Sequence, residues 1–260
     1  MSLWYQDVGP WHNNHRYRGQ GLLRWAGMDT KELFLENTRD PHKRQKLGEL
    51  GWLDLDAITY RLNHQGFRCD EFDERPAGLA LGCSHTMGIG IPEEHTWPCH
   101  LSQLLGVHVW NLGVGGSGLD SNFRLLDHYL PILRPKFVVH AMPHVARVEY
   151  YGFGEFKTII AHGLSGKFPF RDFFLEYFFN DVNSDINARK NLLAIKYLCG
   201  RAEIPYYLVD VTESMIRDGA ARDLAHAGST SQKKFAEIVL DLMKENPQGA
   251  QDGHTRIRCS

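Results

Sequence analysis

The stretch AGLALGCSHTMGIG, residues 77–90, runs from six small and apolar residues directly into a glycine-rich turn that carries Ser84. An uncharged run of that length suits a strand buried on both faces, as in the middle of a parallel sheet. A hydroxyl just past such a strand stands at the rim of the sheet, which makes Ser84 the first candidate nucleophile. Serine is a weak nucleophile at its free pKa and needs a neighbouring base, itself held by a third group. The segment RDLAHAGSTSQKKFAEIV, residues 222–239, provides both: Asp223 and His226 sit on a loop before an amphipathic helix. That spacing lets the imidazole face the serine while the carboxylate fixes its tautomer. Cys83, next to the serine, is a second nucleophile, but Ser84 matches the rest of the constellation better.

Working outward, VHVWNLG (residues 107–113) is a second strand, followed by the turn VGGSG and a helix over residues 119–130. Thr96 is placed to cap a helix reaching Leu105, with Pro98 in its first turn. Pro131 and Pro135 punctuate the link to a third strand, KFVVHAM, at residues 136–142. A helix over residues 187–202, a fourth strand IPYYLVDV at residues 204–211 and a last helix over residues 231–244 complete the series. Strands alternating with helices of this length predict βαβ crossovers, hence an α/β fold with a mainly parallel sheet covered on both sides. Ligands of such sheets bind outside the carboxyl ends of the strands, where the strand order reverses. Ser84, the glycine turn and His144 all follow strand ends.

With 29 basic and 31 acidic residues and no basic stripe, the chain offers no footprint for nucleic acid. Its length of 260 residues suits one α/β domain over residues 76–246. Residues 1–75, polar and aromatic with weak periodicity, read as an arm packed on that domain, with a strand candidate at residues 58–62. Residues 247–260 read as a flexible tail. The N-terminus lacks a basic segment followed by an apolar one, and no run approaches 18 apolar residues, so a cytoplasmic protein without a membrane partner is expected. The five cysteines, at 69, 83, 99, 199 and 259, form no CxxC pair, and reduced thiols are expected. Between Tyr150 and Phe179 stand eleven Phe and Tyr residues, too many for an ordinary solvated loop. This insertion, at about residues 147–185, reads either as a helical hairpin covering the core or a dimer contact, or as a lid shaping a pocket.

Taken with these residues, the chain resembles the SGNH, or GDSL-like, hydrolase family over most of residues 78–245. ALGCSHTMGIG is similar to the nucleophile block, with Cys83 where the family has aspartate. NLGVGG, residues 111–116, is similar to the Asn-x-Gly-x-x-Gly block, and DLAH, residues 223–226, to the Asp-x-x-His block. The resemblance implies a three-layer αβα sandwich with a flavodoxin-like sheet and a catalytic set of Ser84, Asp223 and His226. It also implies oxyanion donors in the backbone amides of Ser84 and Gly116, with Asn111 and Gly113 shaping the turn. The family's Gly-x-Asn-Asp block is missing: HAMPHVARVEY, residues 140–150, brings His144 or Val145 to the place of the asparagine, and only His144 can donate a hydrogen bond. A missing donor costs about 100- to 1000-fold in turnover.

His85, Asn111 and Arg147 are the candidate substrate-binding residues, with His85 in the crevice wall rather than acting as base. Arg147 either binds an anionic group or pairs with Glu149 to brace its loop. The expected reaction is hydrolysis of a small carboxylic ester, such as an O-acetyl ester on a carbohydrate, through an acyl-serine. A thioesterase or lipase is the near alternative, and a non-catalytic binding or structural module on the same fold the distant one. The chemistry calls for no metal and no cofactor. HExxH spacing is absent, although His85, His144 and His226 could meet in the crevice, and a Walker loop would need Gly-Lys-Ser or Gly-Lys-Thr, also absent. The expected partner is a small-molecule or glycan ester, and a homo-oligomer is left open.

Overall fold

In the computed structural model, residues 12–152, 155–160, 171–211, 215 and 219–249 are described. The aromatic residues of 161–170 and most of the expected tail lie outside them.

The arm is more regular than its sequence predicts. It folds into two short helices, α1 (Lys31–Arg39) and α2 (Pro41–Glu49). Both are set by their caps: Thr30 Oγ1 accepts from the Leu33 amide at 3.1 Å, and Asp40 Oδ1 accepts from the amides of His42 and Lys43, with Pro41 opening α2. The strand expected at residues 58–62 is only an isolated bridge between Tyr60 and Leu23. Phe34, Leu47, Trp52, Ile58 and Tyr60 form an apolar cluster with Met87, Ile89 and Ile91, so the arm packs against the loop that follows Ser84.

β1 (Ala77–Gly82) is buried at every position and has a parallel partner on each side. β2 (His108–Gly113) pairs with its full length, from Ala77 opposite His108 to Gly82 opposite Gly113. On the other side β3 (Val138–Met142) pairs Leu79 with Val138, and β6 (Tyr206–Asp210) pairs with β3 in turn. The order β2-β1-β3-β6 matches the start of a flavodoxin-like sheet, in which the chain reverses direction of travel at β1. The carboxyl ends of β1 and β3 flank that switch point, and Ser84 lies two residues beyond β1.

Alternation along each strand divides the core in two. Leu79, Leu81, Trp110, Leu112 and Val138 meet α5 (Leu119–Leu133) and α7 (Asp181–Arg201). Ala80, Val109, Val139 and Ala141 meet α4 (Trp97–Leu105) and α8 (Ser229–Glu245), where the rings of Trp97 and Phe235 stack edge to face. The result is a three-layer αβα sandwich with a parallel central sheet.

Beyond the arm, three elements depart from the sequence reading. α5 continues through Pro131 to Leu133 and stops only where Arg134 turns left-handed at φ 43°. α7 begins at Asp181, where the Asn180 side chain accepts from the Asn183 amide, and not at residue 187. Among its described residues the aromatic insertion forms no helical hairpin. It is an antiparallel β-hairpin, β4 (Arg147–Gly152) with β5 (Glu155–Ile160), followed by the short helix α6 (Arg171–Tyr177). Its β-branched and aromatic residues favour strands.

Candidate active site

Ser84 opens α3 (Ser84–Met87), a single turn that ends at Gly88 in the left-handed region, φ 76°. The amides of Gly88 and Ile89 both donate to the Ser84 carbonyl, at 3.0 and 3.2 Å, which fixes the turn and leaves the side chain at the rim of the sheet. The hydroxyl Oγ lies 2.9 Å from His226 Nε2. On the far side of the ring, His226 Nδ1 lies 2.5 Å from Asp223 Oδ2. A carboxylate only accepts, so the proton sits on Nδ1 and the Nε2 lone pair faces the Ser84 hydroxyl. The other carboxylate oxygen of Asp223 accepts from the backbone amides of Ala225 and His226, both at 3.0 Å.

This tight loop passes through Leu224 at φ 58°, a left-handed conformation that costs a side-chain-bearing residue about 1–2 kcal/mol. Burial pushes the Asp223 carboxyl up, but the hydrogen bonds and charge of His226 and the two amides outweigh it, and the group titrates below its ordinary value. Cys83 is buried beside the serine, and Cys69, Cys83, Cys99 and Cys199 are all free thiols.

The glycine turn after β2 is locked to the serine turn. Asn111 Nδ2 donates to the Thr86 carbonyl at 2.8 Å, and Asn111 Oδ1 accepts from the Gly113 amide at 2.9 Å. Asn111 is thus buried in the frame rather than turned to a ligand, and its side chain supports the site from below. A Cβ on Gly113 would lie 2.3 Å from the Met87 nitrogen, so only glycine lets β2 pass this close to α3. Gly116 has φ 77° and is the third residue of a turn closed by the Ser117 amide on the Val114 carbonyl at 3.1 Å, the position that demands a left-handed residue in a type II turn. Ser117 Oγ donates to the Gly82 carbonyl at 2.9 Å, which pins this turn to the end of β1. Residues 113–118 also have the Gly-x-Gly-x-x-Gly spacing of a dinucleotide loop, but here Gly113 is pressed against α3 and Gly118 against the Arg147 backbone.

Arg147 and Glu149 do not pair with each other. Arg147 Nη1 donates to the Ser117 carbonyl at 2.8 Å, bracing the glycine turn. Glu149 is held bidentately by Arg124 of α5, at 2.9 and 2.8 Å, and also accepts from Ser121 Oγ at 2.7 Å. Two apart on β4, the two side chains share a face of the strand, yet each is held by a different segment, Arg147 by the glycine turn and Glu149 by α5. Beyond β3, His144 is exposed and its Nδ1 accepts from the Ala146 amide at 3.1 Å, which leaves Nε2 as the protonated nitrogen of the neutral ring. Val145 packs with Leu119, Met142 and Ala188. His85 stands beside the base, its ring 5.0 Å from that of His226, and its carbonyl accepts from Gln232. Among the described residues no three His, Cys, Asp or Glu side chains form a group that could hold a metal ion, and no helix is long and apolar enough to cross a membrane.

A buried polar chain behind the site escaped the sequence reading. Asn122 Nδ2 donates to the Gly82 carbonyl at 3.3 Å, Asn122 Oδ1 lies 3.0 Å from His140 Nε2, and His140 Nδ1 lies 2.8 Å from the Tyr206 hydroxyl. Asn122 thus fixes the tautomer: Nε2–H donates to it, and Nδ1 accepts from Tyr206. Burial pulls His140 down to about 3, so the ring is neutral. The signal for this chain was a histidine inside an otherwise apolar strand.

No protein-family profile and no curated protein matches the chain. Among solved structures it is similar to TesA, with a TM-score of 0.46 and 12% identity over 66% of this chain and 99% of that one. It is also similar to the psychrotrophic esterase EstA from Pseudoalteromonas sp., in a structure inhibited by monoethylphosphonate, with a TM-score of 0.35 and 14% identity over 72% of this chain and 78% of that one. A third is AlinE4, an SGNH-hydrolase family esterase, with a TM-score of 0.35 and 19% identity over 67% of this chain and 74% of that one.

Proposed function

We propose that the chain is a serine-dependent hydrolase of small carboxylic esters, with an O-acetyl ester on a carbohydrate as its substrate class. The observation that supports this reading is the continuous hydrogen-bonded chain from Asp223 through His226 to Ser84. In the proposed reaction His226 Nε2 takes the hydroxyl proton as Ser84 Oγ bonds to the ester carbonyl carbon, and Asp223 stabilises the imidazolium that results. The backbone amides of Ser84 and Gly116, with His144 as a third donor, hold the oxyanion. His226 then returns the proton to the leaving alcohol as the carbon–oxygen bond breaks, leaving an acyl-serine. Water attacks that ester with His226 again as base, the acid departs and Ser84 regains its proton. No metal or cofactor enters any step.

The test is labelling of the purified protein by a fluorophosphonate, in which Ser84 Oγ displaces fluoride at phosphorus. Labelling at Ser84 that Ser84→Ala and His226→Ala both abolish supports the reading. A folded wild type that stays unlabelled at pH 8 overturns it in favour of a non-catalytic binding module on the same fold.

A further inference from the structure

The loop after Ser84 and the loop carrying Asp223 are joined by a closed ring of hydrogen bonds that runs through the N-terminal arm. The Gly90 amide donates to the Tyr60 hydroxyl at 2.7 Å, and that hydroxyl donates to Asp29 Oδ2 at 2.6 Å. Arg222 holds Asp29 bidentately, Nε on Oδ1 at 3.0 Å and Nη2 on Oδ2 at 2.7 Å. The ring closes where the Arg222 amide donates to the Gly90 carbonyl at 2.8 Å. Two of its four members belong to the arm, one to the serine loop, and the fourth immediately precedes Asp223. Asp29, Tyr60 and Arg222 are all buried, with Arg222 at 0% and Asp29 at 1% exposure.

Stability alone gives no reason for this arrangement, because a buried ion pair is often no better than apolar side chains of the same volume. What it does provide is direction: a bidentate guanidinium fixes a carboxylate in plane and in distance. Further arm contacts on the same two loops make the same join. Arg68 donates to the carbonyls of Gly88 and Ile91, and Trp52 Nε1 donates to the Ala220 carbonyl at 2.9 Å. The Arg222 guanidinium also lies over the Trp25 ring, 4.1 Å from its centre, so that both its edges and its face are held by the arm.

We infer that Asp29, Tyr60 and Arg222 are positioning residues for the Ser84–His226–Asp223 set, and that the arm is an intramolecular clamp holding the two halves of the active site in register. The inference rests on the hydrolase reading above for its effect on rate, and on geometry alone for its effect on the Asp223–His226 pair.

The experiment uses the full chain in two variants that break the ring at different points. Tyr60→Phe removes one oxygen, and the double variant Asp29→Leu with Arg222→Met replaces the ion pair by apolar groups. Folding is checked by circular dichroism and thermal melting. Two quantities are then read: the rate of fluorophosphonate labelling at Ser84, and the low-field proton resonance of the His226 Nδ1–H shared with Asp223. The clamp predicts a loss of about 10-fold in labelling for Tyr60→Phe and about 100-fold for the double variant, with the resonance weakened or lost, since small misplacement of reacting groups has effects of this size. Folded variants that label at the wild-type rate and keep the resonance overturn the clamp while leaving the hydrolase reading intact. If the wild type itself never labels, the hydrolase reading falls, and the resonance alone decides: retained in a folded variant, it overturns the clamp, and lost, it supports it. Should the double variant fail to fold, Tyr60→Phe decides by the same two readouts.

Discussion

His226 presents opposite ring edges to two residues from different parts of the fold, Nε2 to Ser84 Oγ at 2.9 Å and Nδ1 to Asp223 Oδ2 at 2.5 Å. The carboxylate therefore chooses which nitrogen is bare. Asp223→Asn keeps the shape but offers an amide that donates or accepts with the wrong partner, and the ring settles in the other tautomer. Turnover of an ester substrate is expected to fall about 10,000-fold with little change in melting temperature. Steady-state kinetics beside a thermal melt checks both halves.

His144 supplies the third oxyanion donor in the proposed mechanism. Its Nδ1 accepts from Ala146, which presents a protonated Nε2. His144→Ala is expected to lower kcat about 100-fold or more at nearly constant KM, because an oxyanion donor acts on the transition state and not on the bound ester. An unchanged kcat would remove His144 from the mechanism and leave the two backbone amides.

Acid should destabilise the fold through His140. Its folded value is depressed by burial to about 3, against an ordinary 6.5, so between those limits the unfolded chain binds the extra proton and the folded chain does not. Stability then rises with pH in that window and is lost as pH falls, by about 2 kcal/mol between pH 6.5 and 5 for this one group. His12 and His15 are also depressed by burial, His15 to about 4, and add to the slope. Urea midpoints at pH 7 and 5 should separate by less in His140→Gln than in the wild type.

Gly113→Ala places a methyl against the backbone of Met87 and Thr86, at 2.3 and 2.6 Å from their nitrogen and carbonyl carbon. No side chain can swing aside there, so β2 and α3 must separate. The expected outcome is a loss of about 3 kcal/mol or more in stability and slower labelling of Ser84, at the upper end of what overpacking costs. Chemical denaturation and the labelling rate together check it.

The sheet was legible because each of its strands is a short apolar run between turn residues, and Ser84, Asp223 and His226 because they lie at strand and helix boundaries where periodicity breaks. α7 was legible only from residue 187 on. Val182, Ile186, Leu193 and Tyr197 are exposed on the side opposite Ser184, Ala188, Asn191 and Ile195, so the exposed side carries an apolar row while polar Ser184 and Asn191 interrupt the buried one, and no single apolar stripe marks the helix. α1 and α2 were missed because Thr30 and Asp40, and not an apolar face, define where they start. Pairings such as Arg124 with Glu149 depend on which element lies under the hairpin, and nothing local in the sequence encodes that. Asn111, expected to shape the turn and contact substrate, has its side chain spent on the frame, bonding to Thr86 and Gly113.

The two ends of the Asp29–Arg222 contact lie 193 residues apart along the chain. Contacts so distant in sequence form late and slowly in folding. During synthesis, a nascent chain that already contains Ser84 and most of the sheet still lacks the loop that holds its base, and the arm waits without its partner until that loop has left the ribosome. On the proposed mechanism, hydrolytic competence therefore arrives only once residues 222–226 have been made, and a chain cut short before Arg222 is expected to be inert whatever else it has folded.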